Sequence, residues 1–186
     1  MKRAAFIAYD DCAIWQVALL QRFLRKAEWE VTTITLDGKD VITDGGMKLK
    51  ADTSLSEIDL SEYHLLLFPG AGGKVPEQLL GSEKLHQLIN SFKGLIAASC
   101  ASALFVAAAG LLKDRTFTTN EVIMDRYSVA LAEGNYVDQD VCADHNLITS
   151  KGYAHVEFMR KVLEELGLMK QDPRLENMTL KLGKNQ

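Results

Sequence analysis

The segment GLIAASCASALFVAAAG, residues 94–110, places one cysteine, Cys100, between two apolar runs. Residues 94–98 predict a buried strand because the run is short, apolar and unbroken, and residues 103–112 have the length of a helix. Cys100 then lies at a sharp strand-to-helix turn, which can present a nucleophile and requires small neighbours such as those at 97–99, 101 and 102. An inert core cysteine is the alternative, because free cysteine is often buried.

Further apolar runs define the rest of the fold. Strands are predicted at 4–8, 31–35, 65–68, 116–119, around 136–141 and at 146–150, and helices at 14–27, 77–92 and 154–166. Unbroken apolar strands separated by helices are typical of a parallel sheet covered on both faces. The sequence therefore predicts an α/β fold, a three-layer flavodoxin-like sandwich with a mainly parallel central sheet. Residues 40–52 predict a β-hairpin with its turn at Gly45-Gly46.

The length of 186 residues predicts one domain, residues 1–168, followed by a C-terminal extension, residues 169–186, that covers the surface or contacts a second copy. A net charge of -4 with no basic stripe argues against nucleic acid as a partner. No apolar stretch approaches the roughly 20 residues that span a bilayer. Two aspartates, Asp10 and Asp11, interrupt the first apolar run, which favours a strand over a signal peptide.

The three cysteines, Cys12, Cys100 and Cys142, have no metal-ligand spacing. They predict a reducing, cytoplasmic setting without disulfides or a metal site. A dinucleotide fingerprint is also missing, because PGAGG (69–73) does not match GxGxxG. We therefore expect no cofactor.

Three loops should meet at the carboxyl edge of the sheet, where sites form in open parallel sheets. They are Asp10-Asp11-Cys12, PGAGG (69–73) and Ser99-Cys100-Ala101. The glycine-rich loop could aim backbone N–H groups at a negative sulfur or an oxyanion. The helix that follows Cys100 should favour the thiolate and lower the pKa of the thiol.

Other residues near this edge have two interpretations each. Gln16 shares a helix face with Leu20 and Phe23, so its amide either points inward and needs partners or lies partly exposed at the helix start. His155 follows the last strand and could approach the site, but a solvent-facing position is favoured. Cys12 is a candidate resolving thiol, although a small loop residue is favoured. Asp10 and Asp11 either take part in proton transfer or cap the first helix, and their charge would raise the pKa of Cys100.

Three motifs in order, LLLFPGAGG (65–73), GLIAASCASALFVAAAGLL (94–112) and NLITSKGYAHVEF (146–158), resemble the ThiJ/PfpI superfamily. This superfamily includes the Parkinsonism-associated deglycases and is related to class I glutamine amidotransferases. The similarity spans roughly residues 3–167 and implies a flavodoxin-like sandwich, usually dimeric, with a reactive cysteine at Cys100. By the same resemblance, Ala71 and Gly72 match the loop whose amides face the cysteine, and Gly152 and Tyr153 match the loop that closes the pocket.

The chain departs from that pattern at the groups that carry protons. Gln16 stands where the deglycases have a glutamate, and Ala13 matches a second first-helix glutamate of many members. Asn120 replaces a histidine after the fifth strand, and Ala101 replaces the histidine that follows the cysteine in protease-like members. A glutamine can still donate a hydrogen bond to a thiolate, but it cannot shuttle a proton.

The sequence supports three functional hypotheses. In the first, Cys100 adds to the carbonyl of small electrophiles such as reactive aldehydes, Gln16 orients the sulfur, and the amides of Ala71, Gly72 and Ala101 stabilise the anion. Such glyoxalase- or hydrolase-like activity would lose about 10²–10⁴-fold in rate without acid–base help. In the second, an oxidant converts Cys100 to a sulfenic or sulfinic acid in a redox or stress-response module. The third is a small-molecule-binding homodimer without chemistry. Protease activity is disfavoured because no base stands beside the cysteine.

Overall fold

The computed structural model describes residues 1–183; residues 184–186, the end of the predicted extension, lie outside the described part. The strands are β1 (Arg3–Ile7), β2 (Cys12–Ala13), β3 (Glu30–Thr35), β4 (Val41–Ile42), β5 (Lys48–Leu49), β6 (Thr53–Ser54), β7 (Leu65–Phe68), β8 (Gly70–Ala71), β9 (Leu95–Ser99), β10 (Thr116–Phe117), β11 (Asn135–Tyr136), β12 (Val141–Asp144) and β13 (Leu147–Ser150). The helices are α1 (Ala18–Lys26), α2 (Glu77–Leu80), α3 (Glu83–Ser91), α4 (Ala103–Ala108), α5 (Glu121–Leu131), α6 (His155–Glu165), α7 (Leu168–Gln171) and α8 (Pro173–Gly183). Single 3₁₀ turns lie at Ile14–Gln16 and Cys100–Ser102.

Seven strands form the central sheet, in the order β12-β13-β9-β7-β1-β3-β6. The β12–β13 pair is antiparallel, and the five other pairs are parallel. Successive side chains of β1 enter opposite cores: Phe6 packs among residues of α1 and α6, whereas Ile7 packs among residues of α3 and α4. This alternation gives helix, sheet and helix layers, so the predicted three-layer α/β sandwich is confirmed.

Several helices differ in extent from the sequence-based expectation. The helix expected at 77–92 is divided into α2 and α3 at Gly81 and Ser82, where the Ser82 hydroxyl accepts the N–H of Leu85 at 3.2 Å and caps α3. The helix expected at 103–112 ends at Ala108, two residues before the left-handed Gly110. Of the strand expected at 116–119, only Thr116 and Phe117 form strand pairs, as β10 beside β11.

The hairpin expected at 40–52 is present as the antiparallel pair β4–β5, with Gly46 in a left-handed conformation at its turn. The backbone N–H of Gly46 donates to the carbonyl of Thr43 at 2.9 Å and closes this turn. The hairpin lies beside the loop after β1, because the N–H of Asp11 donates to the carbonyl of Ile42 at 2.8 Å.

The segment after residue 168 folds back as α7 and α8 against the outer helices. Leu175 is buried in the same core as α1 and α6, and Thr179 is also buried. The Lys26 ammonium on α1 lies 3.6 Å from the Met178 sulfur on α8. Within residues 1–183, helices that are both long and apolar enough to cross a membrane do not occur.

Candidate functional site

Cys100 begins the 3₁₀ turn between β9 and α4, with a φ of +55°. This left-handed conformation is unusual for a residue that is not glycine and is costly unless its surroundings hold it. The Thr119 hydroxyl donates to the Cys100 carbonyl at 2.8 Å, and the hydroxyls of Ser150 and Ser99 are 3.2 Å apart where β13 pairs with β9. The predicted cysteine elbow at the end of β9 is thereby confirmed.

The loop after β7 is bound to the same turn. The Pro69 carbonyl accepts the hydroxyl of Tyr9, at 2.8 Å, and also the hydroxyl of Ser102. Tyr9 follows β1 and Ser102 lies within the elbow turn, so one carbonyl connects the ends of three neighbouring strands. Both hydroxyl-bearing residues are buried, which makes these hydrogen bonds a fixed frame for Cys100.

Gln16 reaches the sulfur from the first 3₁₀ turn and is only 4 % exposed. Its Oε1 accepts the N–H of Gly70 at 2.9 Å, which leaves the Nε2 amide free to donate to the Cys100 sulfur. A Cβ atom at Gly70 would lie 2.4 Å from Gln16 Oε1 and 2.8 Å from Cys100 Cβ. Glycine at position 70 therefore permits the close approach of Gln16 and Cys100.

Gly152 forms the opposite wall of the site. A Cβ atom there would lie 2.6 Å from Gln16 Nε2 and 3.3 Å from the Cys100 sulfur. The N–H of Gly152 donates to Asn120 Oδ1 at 2.7 Å, and the residue itself packs against the Cys100 sulfur. Asn120 immediately precedes α5, so this amide connects the start of α5 to the loop after β13.

Burial is the main influence on the thiol. It raises the pKa of Cys100 above the ordinary value. Three groups oppose it by lowering this pKa: the N–H of Ala101, the side-chain amide of Gln16 and the N–H of Gly152. The N–H of Ala101, in the elbow turn, lowers the pKa as expected, but burial outweighs it. A sulfur in a residue only 9 % exposed loses most of its hydration, and α4 is just six residues long.

The amides that face the sulfur differ in part from those expected. The N–H of Gly72 donates to the Asp11 carbonyl at 2.8 Å, so its predicted contact with the anion is wrong. Asp11 adopts a left-handed turn, φ +65°, that brings its carbonyl against this loop. Ala71 lies opposite Cys12 in the β2–β8 ladder, and the backbone N–H groups that lower the pKa of Cys100 are those of Ala101 and Gly152.

The aspartates after β1 shape the loop and do not cap α1. Asp10 Oδ1 accepts the N–H of Ile42 in the hairpin at 2.8 Å, and the N-terminus of α1 has no side-chain cap. The capping alternative is therefore wrong. Burial, and not the charge of these aspartates, is what raises the pKa of Cys100.

The remaining candidates lie around the Cys100 turn. Cys12 is fully buried, and burial raises the pKa of its thiol. Tyr153 is exposed beside Gly152. His155 is half-buried in the first turn of α6; its Nδ1 lies 3.0 Å from the Tyr153 carbonyl, and its ring packs edge-on against exposed Trp15, with 5.7 Å between centroids.

Several positioning residues escaped sequence reasoning. The sequence did not single out Thr119, Ser102 or Tyr9, whose hydroxyls hold the elbow, or Gly70 as the residue that orients Gln16. The run TFTTN ending at Asn120 and the first glycine of PGAGG were the available signals. In the described range, 1–183, groups of three or more His, Cys, Asp or Glu side chains suited to a metal ion are absent.

A family model described as the DJ-1/PfpI family matches residues 2–165, almost the whole chain. The chain belongs to the DJ-1/PfpI family. The resemblance seen in the sequence is thus confirmed, and the fold and cysteine elbow agree with this membership.

Proteins and structures similar to this chain bear DJ-1 and protease names. An uncharacterized protease of Bacillus subtilis, YdeA, is 30 % identical over 168 residues, which cover 88 % of this chain and 83 % of YdeA. The Parkinson disease protein 7 homolog of Danio rerio is 29 % identical over 171 residues, 89 % of each chain. The crystal structure of a DJ-1 superfamily protein from Agrobacterium tumefaciens superposes with a TM-score of 0.84 at 28 % identity and covers 100 % of this chain and 99 % of its own. Drosophila melanogaster DJ-1beta gives 0.81 at 26 % identity and 97 % coverage of both chains.

Proposed function

We propose that Cys100 is a nucleophile that adds to the carbonyl carbon of small electrophiles such as reactive aldehydes. The observation that carries the proposal is the close packing of Gly152 against the Gln16 amide and the sulfur of a cysteine held at a left-handed elbow. The N–H groups of Ala101 and Gly152 and the Gln16 amide lower the pKa of this thiol. Directed donors of this kind stabilise a thiolate, and they can also stabilise negative charge that develops beside it.

The first step forms a bond between the sulfur and the carbonyl carbon. The thiolate supplies the electron pair, the carbonyl π electrons move to the oxygen, and that oxygen takes the proton that the thiol has released to solvent. The product is a hemithioacetal. Burial raises the pKa of Cys100 and so reduces the fraction of thiolate that can attack.

Later steps of an aldehyde rearrangement need a proton carrier beside the adduct. Gln16 and Asn120 are neutral amides whose oxygens are already engaged by Gly70 and Gly152. We therefore propose adduct formation with slow glyoxalase- or hydrolase-like turnover, because acid–base catalysis contributes about 10²–10⁴-fold in such steps.

The test is reaction of the purified protein with methylglyoxal, followed by intact-protein mass spectrometry and by aldehyde consumption. We expect a reversible mass gain of one methylglyoxal in the wild type and its loss in Cys100→Ser. Cys142→Ser is the matched control, since Cys142 is a buried cysteine in an edge strand away from the elbow, and it should keep the adduct. An adduct of equal yield in Cys100→Ser would contradict the proposal.

Oxidation is the second candidate function. The same donors that face the sulfur could bind the oxygens of a sulfenic or sulfinic acid on Cys100. If methylglyoxal leaves the protein unmodified while dilute peroxide adds one or two oxygens at Cys100, the redox module replaces the aldehyde reaction. If neither reagent modifies Cys100, small-molecule binding without chemistry remains.

We also propose that the protein acts as a cytoplasmic homodimer. The support is a set of exposed apolar side chains near the loop after β1, namely Trp15 and, on the hairpin, Ile42 and Met47. Sedimentation velocity at micromolar concentration should give the mass of two chains, and a single-chain mass would contradict this part of the proposal.

A further inference from the structure

Lys151 is a buried cation directly before Gly152, at the end of β13. Its side chain is 6 % exposed, although its two carboxylate partners, Glu121 and Asp138, are 74 % and 69 % exposed. The ammonium contacts Asp138 closely and lies 3.2 Å from Glu121 Oε1. A lysine is almost never buried unless it is paired, so these two contacts account for its position.

The partners of Lys151 and Gly152 are adjacent in sequence. Gly152 donates its N–H to Asn120, and Lys151 contacts Glu121, the first residue of α5. Two consecutive residues of the loop after β13 are thus bound to two consecutive residues at the start of α5. A single hydrogen bond between Gly152 and Asn120 would let the loop pivot. The added contact between Lys151 and Glu121 fixes the orientation of the loop.

Lys151 also fixes the loop on its other sides. Its backbone N–H donates to the Asp140 carbonyl at 2.9 Å, and its carbonyl accepts the N–H of Ala154 at 3.2 Å. Its ammonium lies 5.9 Å from the centroid of the exposed Tyr153 ring. These contacts hold the backbone on both sides of Gly152, where an added Cβ would lie 3.3 Å from the sulfur of Cys100 and 3.2 Å from its Cβ.

We propose that Lys151 is a positioning residue for Cys100, which acts by holding Gly152 and its peptide group in place beside the sulfur. The effect is geometric, because the groups that influence the pKa of Cys100 are its buried surroundings and the amides of Ala101, Gln16 and Gly152. The inference rests on the reactive role of Cys100 proposed above. It concerns the thiol itself and does not depend on which electrophile the thiol takes.

The experiment measures the rate of Cys100 alkylation by iodoacetamide as a function of pH, with Cys12 and Cys142 followed separately by peptide mass spectrometry. In Lys151→Met the Gly152 amide should lose its alignment, so the midpoint pH should rise. The alkylation rate at pH 7 should fall about three- to tenfold, the change expected when one hydrogen bond of ordinary strength is lost. Lys151→Arg keeps the charge and both carboxylate contacts and should restore most of the rate.

Lys161→Met is the matched control, since Lys161 also pairs with two carboxylates, those of Glu164 and Glu165, but lies on α6 and is partly exposed. It should leave the midpoint unchanged. A Lys151→Met protein that melts earlier but keeps the wild-type midpoint would show an ordinary ion pair and overturn the proposal. If Lys151→Met does not fold, Glu121→Gln and Asp138→Asn carry the test, and unchanged midpoints in both overturn it.

The outcomes separate this inference from the proposed function. A wild-type protein that is alkylated at Cys100 but gives no aldehyde adduct would refute the aldehyde reaction alone. A shifted midpoint in Lys151→Met would still support the positioning role in that case. Conversely, an aldehyde adduct with an unshifted midpoint would refute the positioning role alone.

Discussion

Cys100 and Cys142 are two thiols with nearly the same burial and different surroundings. Cys100 is 9 % exposed and Cys142 is 7 % exposed, and burial raises the pKa of both. Cys142 lies in the edge strand β12 opposite Thr149, where the Asp144 carboxylate raises the pKa of its thiol further. Cys100 lies at a left-handed turn, where the N–H groups of Ala101 and Gly152 and the Gln16 amide lower the pKa of its thiol.

This difference shows that two thiols of nearly equal burial can have very different polar surroundings. What distinguishes Cys100 is the backbone that brings three separate loops to its sulfur. Glycine at positions 70 and 152 is part of that arrangement, because any side chain there would collide with Gln16 or Cys100. Cys142 has regular strand neighbours and no such donors acting on its sulfur.

The largest expected change widens the difference between the two thiols. The double substitution Gln16→Glu and Asn120→His places two proton carriers beside Cys100 and none beside Cys142. We expect methylglyoxal consumption to rise by about 10²–10⁴-fold, the usual contribution of general acid–base catalysis. Enzymatic assay of lactate formation measures it, with each single substitution as a control. Turnover at the wild-type level would show that the native site lacks more than proton carriers.

A smaller effect is expected when the close packing of Gly70 against Gln16 and Cys100 is disturbed. Gly70→Ala adds a Cβ 2.4 Å from Gln16 Oε1 and 2.8 Å from Cys100 Cβ, so both side chains must move. We expect the free energy of unfolding to fall by about 1–3 kcal/mol, as for other overpacked interiors. Urea denaturation measures this loss.

The control for this change is Gly45→Ala in the hairpin turn, where an added Cβ has no neighbour within 4 Å. It should change the free energy of unfolding by about 0.5 kcal/mol or less. Equal losses in the two variants would mean that the close approach at Gly70 has no energetic consequence.

The smallest effect concerns what the two thiols share. Because the folded-state pKa of each is raised, the folded protein holds these protons more tightly than the unfolded chain does. The stability that each thiol contributes is fully present below the pKa of the thiol in the unfolded chain, about 8.5. It is lost as pH rises toward the higher pKa of the folded state. Each thiol can contribute at most about 1.4 kcal/mol per pH unit.

Urea denaturation at several alkaline pH values, in the presence of a reductant, checks this pH dependence. Cys100→Ser and Cys142→Ser should each make the decline of unfolding free energy with pH less steep. A decline that neither substitution alters would assign the alkaline loss of stability to other groups, and the buried Tyr9, whose pKa is also raised by burial, would be the first to examine.

The sequence predicts the parts of the site that depend on local pattern. The apolar run before Cys100 and the small residues around it indicate the elbow, and the spacing of Gln16 from Leu20 offers an inward side chain as one of two interpretations. Both signals are carried by neighbouring residues. The parallel sheet follows in the same way from unbroken apolar strands such as LLLF (65–68).

The parts that the sequence did not predict depend on contacts between distant segments. The Gly72 amide turns to Asp11 because of a left-handed residue that the sequence does not reveal. Helix α5 carries exposed apolar residues, Val122 and Val129, and so lacks the clear apolar stripe that would predict it. The direction of the Cys100 pKa shift follows from the depth of burial, which becomes known only once the chain is folded.

The amide orientation that Gly70 imposes on Gln16 has a consequence for how Cys100 ionises. Neither Gln16 nor Asn120 gains or loses a proton, so the hydrogen bonds around the sulfur stay the same at every pH at which the protein is folded. In carboxylate–thiol pairs the two protons leave in coupled steps that belong to the pair. Here the amide groups beside the sulfur carry no titratable proton, so the ionisation of Cys100 is not coupled to that of a neighbouring carboxylate.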